Sequence, residues 1–142
     1  MRYITGVHAL NLGCNLQTCG DWHYSATNWN RLTIRESENS FFRDWGIELD
    51  RDVPGQSEKY NVANHIRAIL DLLLEGNFAL AQGMRDELIS NREYTNEIFN
   101  KVWELRNHNN WEQIDRFIGK EYMMKWIEFK REKTDNESRN SL

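Results

Sequence analysis

The sequence contains little proline and cysteine and has no long apolar run. One Pro and two Cys occur in 142 residues, and no stretch approaches the ~20 apolar residues that a membrane span requires. The N-terminal segment has Arg2 as its one basic residue and lacks a small-residue cleavage site, which argues against a secretory signal. Two thiols without an export signal are typical of a reducing compartment. We therefore expect a cytoplasmic protein that does not enter a membrane.

An excess of basic charge and the common enzyme motifs are also missing. The net charge is -4, which argues against general nucleic-acid binding, because affinity for phosphate comes largely from clustered Lys and Arg. The chain has no phosphate-binding glycine loop, no G-x-S-x-G, no H-E-x-x-H and no EF-hand pattern. We therefore expect no cofactor, and an acidic chain favours a protein partner with a basic surface.

The second half of the chain carries an internal regularity. Shifted by 33 positions, the run from Ile66 to Ile89 matches the run from Phe99 to Tyr122 in apolar pattern, and Asn77-Phe78 falls on Asn110-Trp111. This period is the length of helix-turn-helix repeats, but two copies are fewer than the about three that a stacked array needs. The pattern predicts two successive helical hairpins, either duplicated or alike because both are amphipathic.

The N-terminal part has the features of short strands. Tyr3 to Leu12 is rich in aromatic, aliphatic and Thr residues, which predicts a strand covered on both faces. Alternation at Leu32 and Ile34, and again at Trp45, Ile47 and Leu49, predicts two more. Three such strands form a small antiparallel sheet. The segment from Gly13 to Trp29 is a long loop, of the kind that often carries function.

A break from Asp50 to Lys59, which includes Pro54, separates the strands from the helices. A sheet of three short strands needs a cover, so the sequence predicts one α+β domain over residues 1–133 rather than two. Residues 1–58 supply the strands and loops, and residues 59–133 supply two helical hairpins on which the antiparallel sheet packs. The polar residues 134–142 are predicted to be a disordered tail.

Four helices are predicted after this break. Asn61 is the expected N-cap of the first, Thr95 of the third, and Asn110 with Gln113 resembles a capping box for the fourth. The apolar positions of the four helices in turn are Val62, Ile66, Ile69, Leu70 and Leu73; Phe78, Ala81, Met84 and Leu88; Ile98, Phe99, Val102 and Leu105; and Trp111, Ile114, Phe117, Ile118, Tyr122, Trp126 and Phe129.

The long loop contains the candidate chemistry. One hypothesis uses Cys19 as a thiolate nucleophile, His23 as its base and Asp21 to orient the imidazole. A second hypothesis joins His8, Cys14, Cys19 and His23 as zinc ligands, but the spacing lacks the paired C-x2-C of common zinc modules. Two idle thiols and a turn at Gly20-Asp21 explain the same residues, so no metal is expected.

Candidate binding residues are aromatic or basic. Six Trp is a high number for 142 residues, and Trp22 and Trp29 lie in the loop, where they would anchor a partner. His65 and Arg67 lie beside the apolar stripe of the first helix and would contact a phosphate or carboxylate, or simply form its polar face.

Two functions follow, from different classes. The first is a non-catalytic protein-binding role, as an adaptor, an inhibitor or an antitoxin-like molecule that uses helical hairpins and exposed aromatics. The alternative is a small cytoplasmic hydrolase or transferase with its site in residues 13–29. Whether the chain is an enzyme is left open by the sequence.

Overall fold

The computed structural model describes residues 1–18, 27–82, 89 and 92–140, with only the backbone of residue 140. It has an α+β fold, with a four-stranded mixed sheet in the N-terminal half and helices mainly in the C-terminal half, and it confirms the predicted class. Contacts group the chain into two compact units, Met1–Gln82 (unit 1) and Gly83–Leu142 (unit 2). The single domain over residues 1–133 stays a prediction.

Unit 1 contains the whole sheet. The strands are β1 (Arg2–Ile4), β2 (Ile34–Glu36), β3 (Ile47–Arg51) and β4 (Tyr60–Ala63), and their order in the sheet is β2-β1-β4-β3. β1 pairs antiparallel with β2 and parallel with β4, whereas β3 and β4 are antiparallel. The prediction of three antiparallel strands was therefore incomplete, because β4 was assigned to the first helix and the β1–β4 pair is parallel.

The strand predicted from Tyr3 to Leu12 is wrong beyond Ile4. After β1 the chain forms helix α1 (Gly6–Leu10). Gly6 has a φ of +62°, a left-handed conformation that Gly adopts readily, and it turns the chain out of the sheet. A short run that is apolar on both faces fits a strand and a buried helix equally well, so its periodicity could not distinguish them.

Helix α2 (His65–Leu74) follows β4 and is the centre of unit 1. Its N-cap is Asn64 rather than Asn61, because the Asn64 side chain accepts a hydrogen bond from the Arg67 N–H at 2.9 Å. Every residue of the helix from His65 to Leu73 is buried. The predicted apolar stripe at Ile66, Ile69, Leu70 and Leu73 is confirmed, and the polar residues between these positions are buried with them.

Helix α3 (Phe78–Ala81) begins the return segment; Met84 and Leu88, predicted to continue it, lie outside the described residues. In unit 2, α4 (Thr95–Trp103) and α5 (Trp111–Tyr122) correspond to the second predicted hairpin. Both α3 and α5 begin at an aromatic residue after an Asn, 33 positions apart, as the internal similarity predicts.

The fourth helix differs from its prediction in two ways. It breaks at Met123, which has a φ of +52° and is 66% exposed, and helix α6 (Met124–Asn140) follows. No Gly or Pro at this position indicates the break. Helix α6 also includes residues 134–140, which the sequence predicts to be disordered. Its side chains from 134 to 139 are exposed. Because these side chains do not pack, the sequence has no apolar periodicity there that would predict a helix.

Candidate functional site

The candidate site lies where the loop after α1 meets the first turn of α2. Cys14, in this loop, is a free and half-buried thiol. His65, the first residue of α2, is buried with 1% of its surface exposed. Residues 51 positions apart in the sequence are thus brought together at a helix N-terminus, where the helix dipole favours a negative charge.

The loop has a defined conformation around Cys14. The Gln17 N–H donates to the Cys14 carbonyl at 3.0 Å, which closes a turn. The Asn15 N–H donates to the Glu48 carboxylate at 2.8 Å, and the Arg51 guanidinium donates to the Gly13 carbonyl. Side chains of β3 therefore hold the backbone on both sides of the thiol.

The imidazole of His65 has a fixed orientation. Its Nε2 lies 2.6 Å from the Leu12 carbonyl oxygen, and because a carbonyl can only accept, Nε2 must carry a proton. Nδ1 then presents a lone pair when the ring is neutral. It faces the Thr18 hydroxyl, with which it makes a short hydrogen bond, and the Thr18 oxygen lies 3.8 Å from the Cys14 sulfur.

The Cys14 sulfur is surrounded by groups that stabilise its anion. Burial is the largest influence and would raise the pKa of Cys14. Hydrogen bonds from the His65 side chain and from the backbone N–H groups of His65 and Leu16 oppose this effect and lower the pKa to about 7. A substantial fraction of the thiol is therefore ionised near neutral pH, which is the form that acts as a nucleophile.

The pKa of His65 changes in the opposite direction. Burial would lower it, but the hydrogen bond to Cys14, the Leu12 carbonyl and the Glu48 charge raise it above the usual value. A thiol with a lowered pKa beside an imidazole with a raised pKa favours a thiolate and imidazolium pair. Such a pair, linked here through the Thr18 hydroxyl, provides a nucleophile and a proton donor, the two components that covalent catalysis by cysteine needs.

The residues of the predicted catalytic set are not in the described part of the chain. Cys19, Asp21 and His23, and the binding candidate Trp22, all lie outside the described residues, so their roles stay predictions. His8, the remaining residue of the zinc hypothesis apart from Cys14, hydrogen-bonds to the Asn28 carbonyl at 2.8 Å and to Thr33. Where side chains are described, no three His, Cys, Asp or Glu residues converge as metal ligands.

Of the predicted binding residues, Trp29 is half-buried, and its ring packs edge-on against His8 at 5.2 Å between centroids. Arg67 is fully buried and is hydrogen-bonded to Asp71, Tyr3, Ser40 and two backbone carbonyls. Its five donors are all used inside unit 1, so its role in the structure is internal.

Two cavities lined by described residues lie away from this pair. In unit 1, a cavity of about 350 Å³ is lined by α1 and by Leu72 and Glu75 near the C-terminal end of α2, the end opposite His65. In unit 2, a groove of about 410 Å³ is lined by Trp103 and Trp111 of α4 and α5 and by charged residues of α6.

Sequence reasoning identified Cys14 and His65 separately but did not pair them. Cys14 was considered as a zinc ligand and His65 as a contact for an anion. One signal for the position of His65 is present in the sequence. Asn64 is a residue type that favours the N-cap, so the backbone N–H of the next residue, His65, is expected at a helix N-terminus. Nothing in the sequence indicates that the Cys14 loop lies over this turn.

Comparison with protein-family models, with curated proteins and with solved structures finds no match for this chain. Within the described ranges, no helix combines the length and the apolar character that crossing a bilayer requires.

Proposed function

We propose that unit 1 catalyses thiol-dependent acyl transfer or hydrolysis, with Cys14 as the nucleophile and His65 as its acid and base. The observation that carries this proposal is the link from the Cys14 sulfur through the Thr18 hydroxyl, 3.8 Å from the sulfur, to Nδ1 of His65, whose Nε2 is held by the Leu12 carbonyl. In this arrangement a backbone carbonyl orients the imidazole, the role that a carboxylate or amide has in other cysteine sites.

The first half of the reaction acylates Cys14. The thiolate attacks a carbonyl carbon, a C–S bond forms, and the carbonyl π electrons move to oxygen. The oxyanion then collapses and the bond to the leaving group breaks. The leaving group takes the proton from Nδ1 of His65, which leaves a thioester and a neutral imidazole.

The second half regenerates the site. Water, or an acceptor hydroxyl or amine in a transferase, gives a proton to Nδ1 of His65 as its oxygen or nitrogen attacks the thioester carbon. The C–S bond breaks and the sulfur leaves as a thiolate, which the helix N-terminus and the N–H groups of Leu16 and His65 stabilise. Thiolate and imidazolium are restored, so protons and charge balance over the cycle.

This proposal keeps the class of the enzyme hypothesis and moves its nucleophile and base from Cys19 and His23 to Cys14 and His65. A cytoplasmic location, which stays a prediction, would suit it, because a reducing compartment keeps the thiol free.

An activated ester tests the proposal. With p-nitrophenyl acetate we expect a burst of nitrophenolate equal to the protein concentration and an acetyl group on Cys14, detected by mass spectrometry. Cys14→Ser should abolish the burst, and Cys19→Ser, which removes the other thiol, should retain it. His65→Gln should slow acylation by about 10²-fold or more.

The opposite pattern overturns the proposal. If the acetyl group is absent from Cys14, or if the burst is lost in Cys19→Ser and kept in Cys14→Ser, the nucleophile is not Cys14. Circular dichroism of each variant checks that the fold is retained.

A second candidate function, binding of a basic protein segment, is supported by the groove of unit 2. The half-buried rings of Trp103 and Trp111 meet edge to face at 6.1 Å, and Asp115 and Asp135 line the same groove together with Lys130 and Arg131. The Arg106 guanidinium lies 4.9 Å from the Trp103 ring centroid, so this ring already binds one cation. The two half-buried Trp rings would take the place of the exposed aromatics in the protein-binding hypothesis.

Calorimetric titration with an arginine-rich peptide tests this second candidate. Trp103→Ala should weaken binding by about 2 kcal/mol, as for an aromatic anchor, whereas Trp29→Phe in unit 1 is the matched control and should leave it unchanged. Equal affinity of Trp103→Ala and the unaltered chain would exclude the groove as the binding surface.

A further inference from the structure

Two side chains of β3 hold the chain on either side of Cys14. Glu48 accepts a hydrogen bond from the Asn15 N–H at 2.8 Å, and Arg51 donates one to the Gly13 carbonyl. Glu48 and Arg51 also form an ion pair with each other. The residues before and after the thiol are thus attached to one charged pair.

This pair is more shielded than an ordinary surface ion pair. The Glu48 side chain is 11% exposed and the Arg51 side chain 28%. Shielding from water strengthens the attraction between the charges and limits screening by salt. The pair is therefore suited to hold the loop in one position.

The strand is distorted so that the pair can form. Residues three apart on a regular strand point to opposite faces of the sheet, yet Glu48 and Arg51 contact each other. The register between β3 and β4 shifts between these two residues, and Asp50, within the shift, has a φ of +52°. Bulges often re-aim side chains beside active sites, and a non-glycine residue in this conformation is costly.

Glu48 also acts on the imidazole. Its negative charge is among the influences that raise the pKa of His65, together with the hydrogen bond to Cys14. The carboxylate therefore favours the imidazolium form, the form that donates a proton to the leaving group.

We propose that Glu48 and Arg51 are positioning residues of the Cys14 site: the ion pair fixes the Cys14 loop over the first turn of α2. This inference depends on the proposed function, since it assigns the pair a role in the same reaction. It explains why β3 carries a bulge with Asp50 in a left-handed conformation.

Glu48→Gln tests the charge while keeping an oxygen that can accept from Asn15. We expect two effects: a lower His65 pKa, measured by NMR titration of the ring carbon and assigned with His65→Gln, and acylation of Cys14 about 10-fold slower or more. The matched control is Glu75→Gln, which removes an equal charge from the Arg35–Glu75 pair elsewhere in unit 1 and should change neither value.

A second variant tests the attachment of the loop without altering the pair. Asn15→Pro removes the N–H that Glu48 accepts, and proline is favoured at this second position of the Cys14–Gln17 turn. Acylation should again slow by about 10-fold or more, while Glu48 and Arg51 stay intact. Because each variant tests a separate contact, loss of folding in one leaves the other decisive.

The outcomes separate this inference from the proposed function. If the unaltered chain forms no acetyl-Cys14, the proposed function fails. The NMR titration tests the effect of the Glu48 charge on His65 separately: an unchanged His65 pKa in Glu48→Gln shows that this charge does not act on the imidazole. If the unaltered chain is acylated but the folded variants react at the same rate, the positioning role is wrong and the proposed function stands.

Discussion

Arg67 and Asp71, one turn apart on α2, form a buried ion pair with 2.9 Å between Nε and Oδ1. Arg67 also donates to the carbonyls of Arg43 and Trp45 at 2.6 Å each. Asp71 accepts from the hydroxyls of Tyr3 at 2.6 Å and Thr5 at 2.7 Å. The pair therefore connects α2 to β1 and to the turn before β3.

We predict that Arg67→Ala destabilises unit 1 severely. It would leave the Asp71 carboxylate buried without its cation, a change that typically costs about 3 to 5 kcal/mol. Urea denaturation followed by circular dichroism measures the loss. Arg35→Ala is the control, because the Arg35 side chain is 46% exposed and such surface pairs contribute about 1 kcal/mol or less. Equal losses of unfolding free energy in the two variants would show that the buried Arg67 hydrogen bonds stabilise unit 1 no more than a surface ion pair does.

Gly46→Ala and Gly55→Ala form a matched pair. Both glycines have a φ of +77°, so both substitutions carry the cost of about 1 to 2 kcal/mol for a left-handed alanine. A Cβ on Gly46 would lie 2.8 Å from the Cβ of Arg67, whereas a Cβ on Gly55 meets nothing within 4 Å. We expect Gly46→Ala to lose more stability in urea denaturation. Similar values for both would mean that the turn moves freely away from α2.

Met123→Gly should stabilise unit 2. Met123 is 66% exposed and has a φ of +52°, so glycine would relieve backbone strain without loss of packing. Met124→Gly is the control, because an exposed helical position loses about 1 kcal/mol with glycine. We expect opposite shifts in melting temperature. A decrease in both variants would contradict the strain at Met123.

Deletion of residues 134–142 should change the melting temperature little. In the part of this segment that the structure describes, Glu137 lies 3.3 Å from Arg106 and 3.4 Å from the Trp103 indole nitrogen, and both of these contacts are exposed. Exposed pairs of this kind contribute about 1 kcal/mol or less. Differential scanning calorimetry measures the effect, and a drop of many degrees would show that the end of α6 is tightly packed.

Local patterns predicted the elements whose periodicity is unambiguous. Of the alternating positions, Ile34 lies in β2 and Ile47 and Leu49 lie in β3, whereas Leu32 and Trp45 precede these strands. The apolar stripe of α2 is confirmed. Periodicity failed where burial is complete, because Arg67 and Asp71 look like an exposed polar face in the sequence but are buried and hydrogen-bonded in the structure.

The candidate site could be predicted only in part, since its residues come from separate segments. Sequence reasoning placed thiol chemistry in the loop of residues 13–29, where Cys14 lies, but sought the base nearby at His23. The imidazole that the structure links to Cys14, through Thr18, is that of His65 from α2. The β3 bulge that brings Glu48 to the loop arises from pairing with β4, a strand that the sequence did not indicate.

The pH dependence of Cys14 alkylation measures most directly whether the fold activates this thiol. In Cys19→Ser, Cys14 is the single thiol, and its rate of reaction with iodoacetamide follows the thiolate fraction. In the folded chain we predict a midpoint at pH about 7. In the same variant unfolded in urea, the midpoint should rise to about 8.5, the value of an unperturbed thiol. Coinciding midpoints in the folded and unfolded chains would contradict an activated thiolate at Cys14.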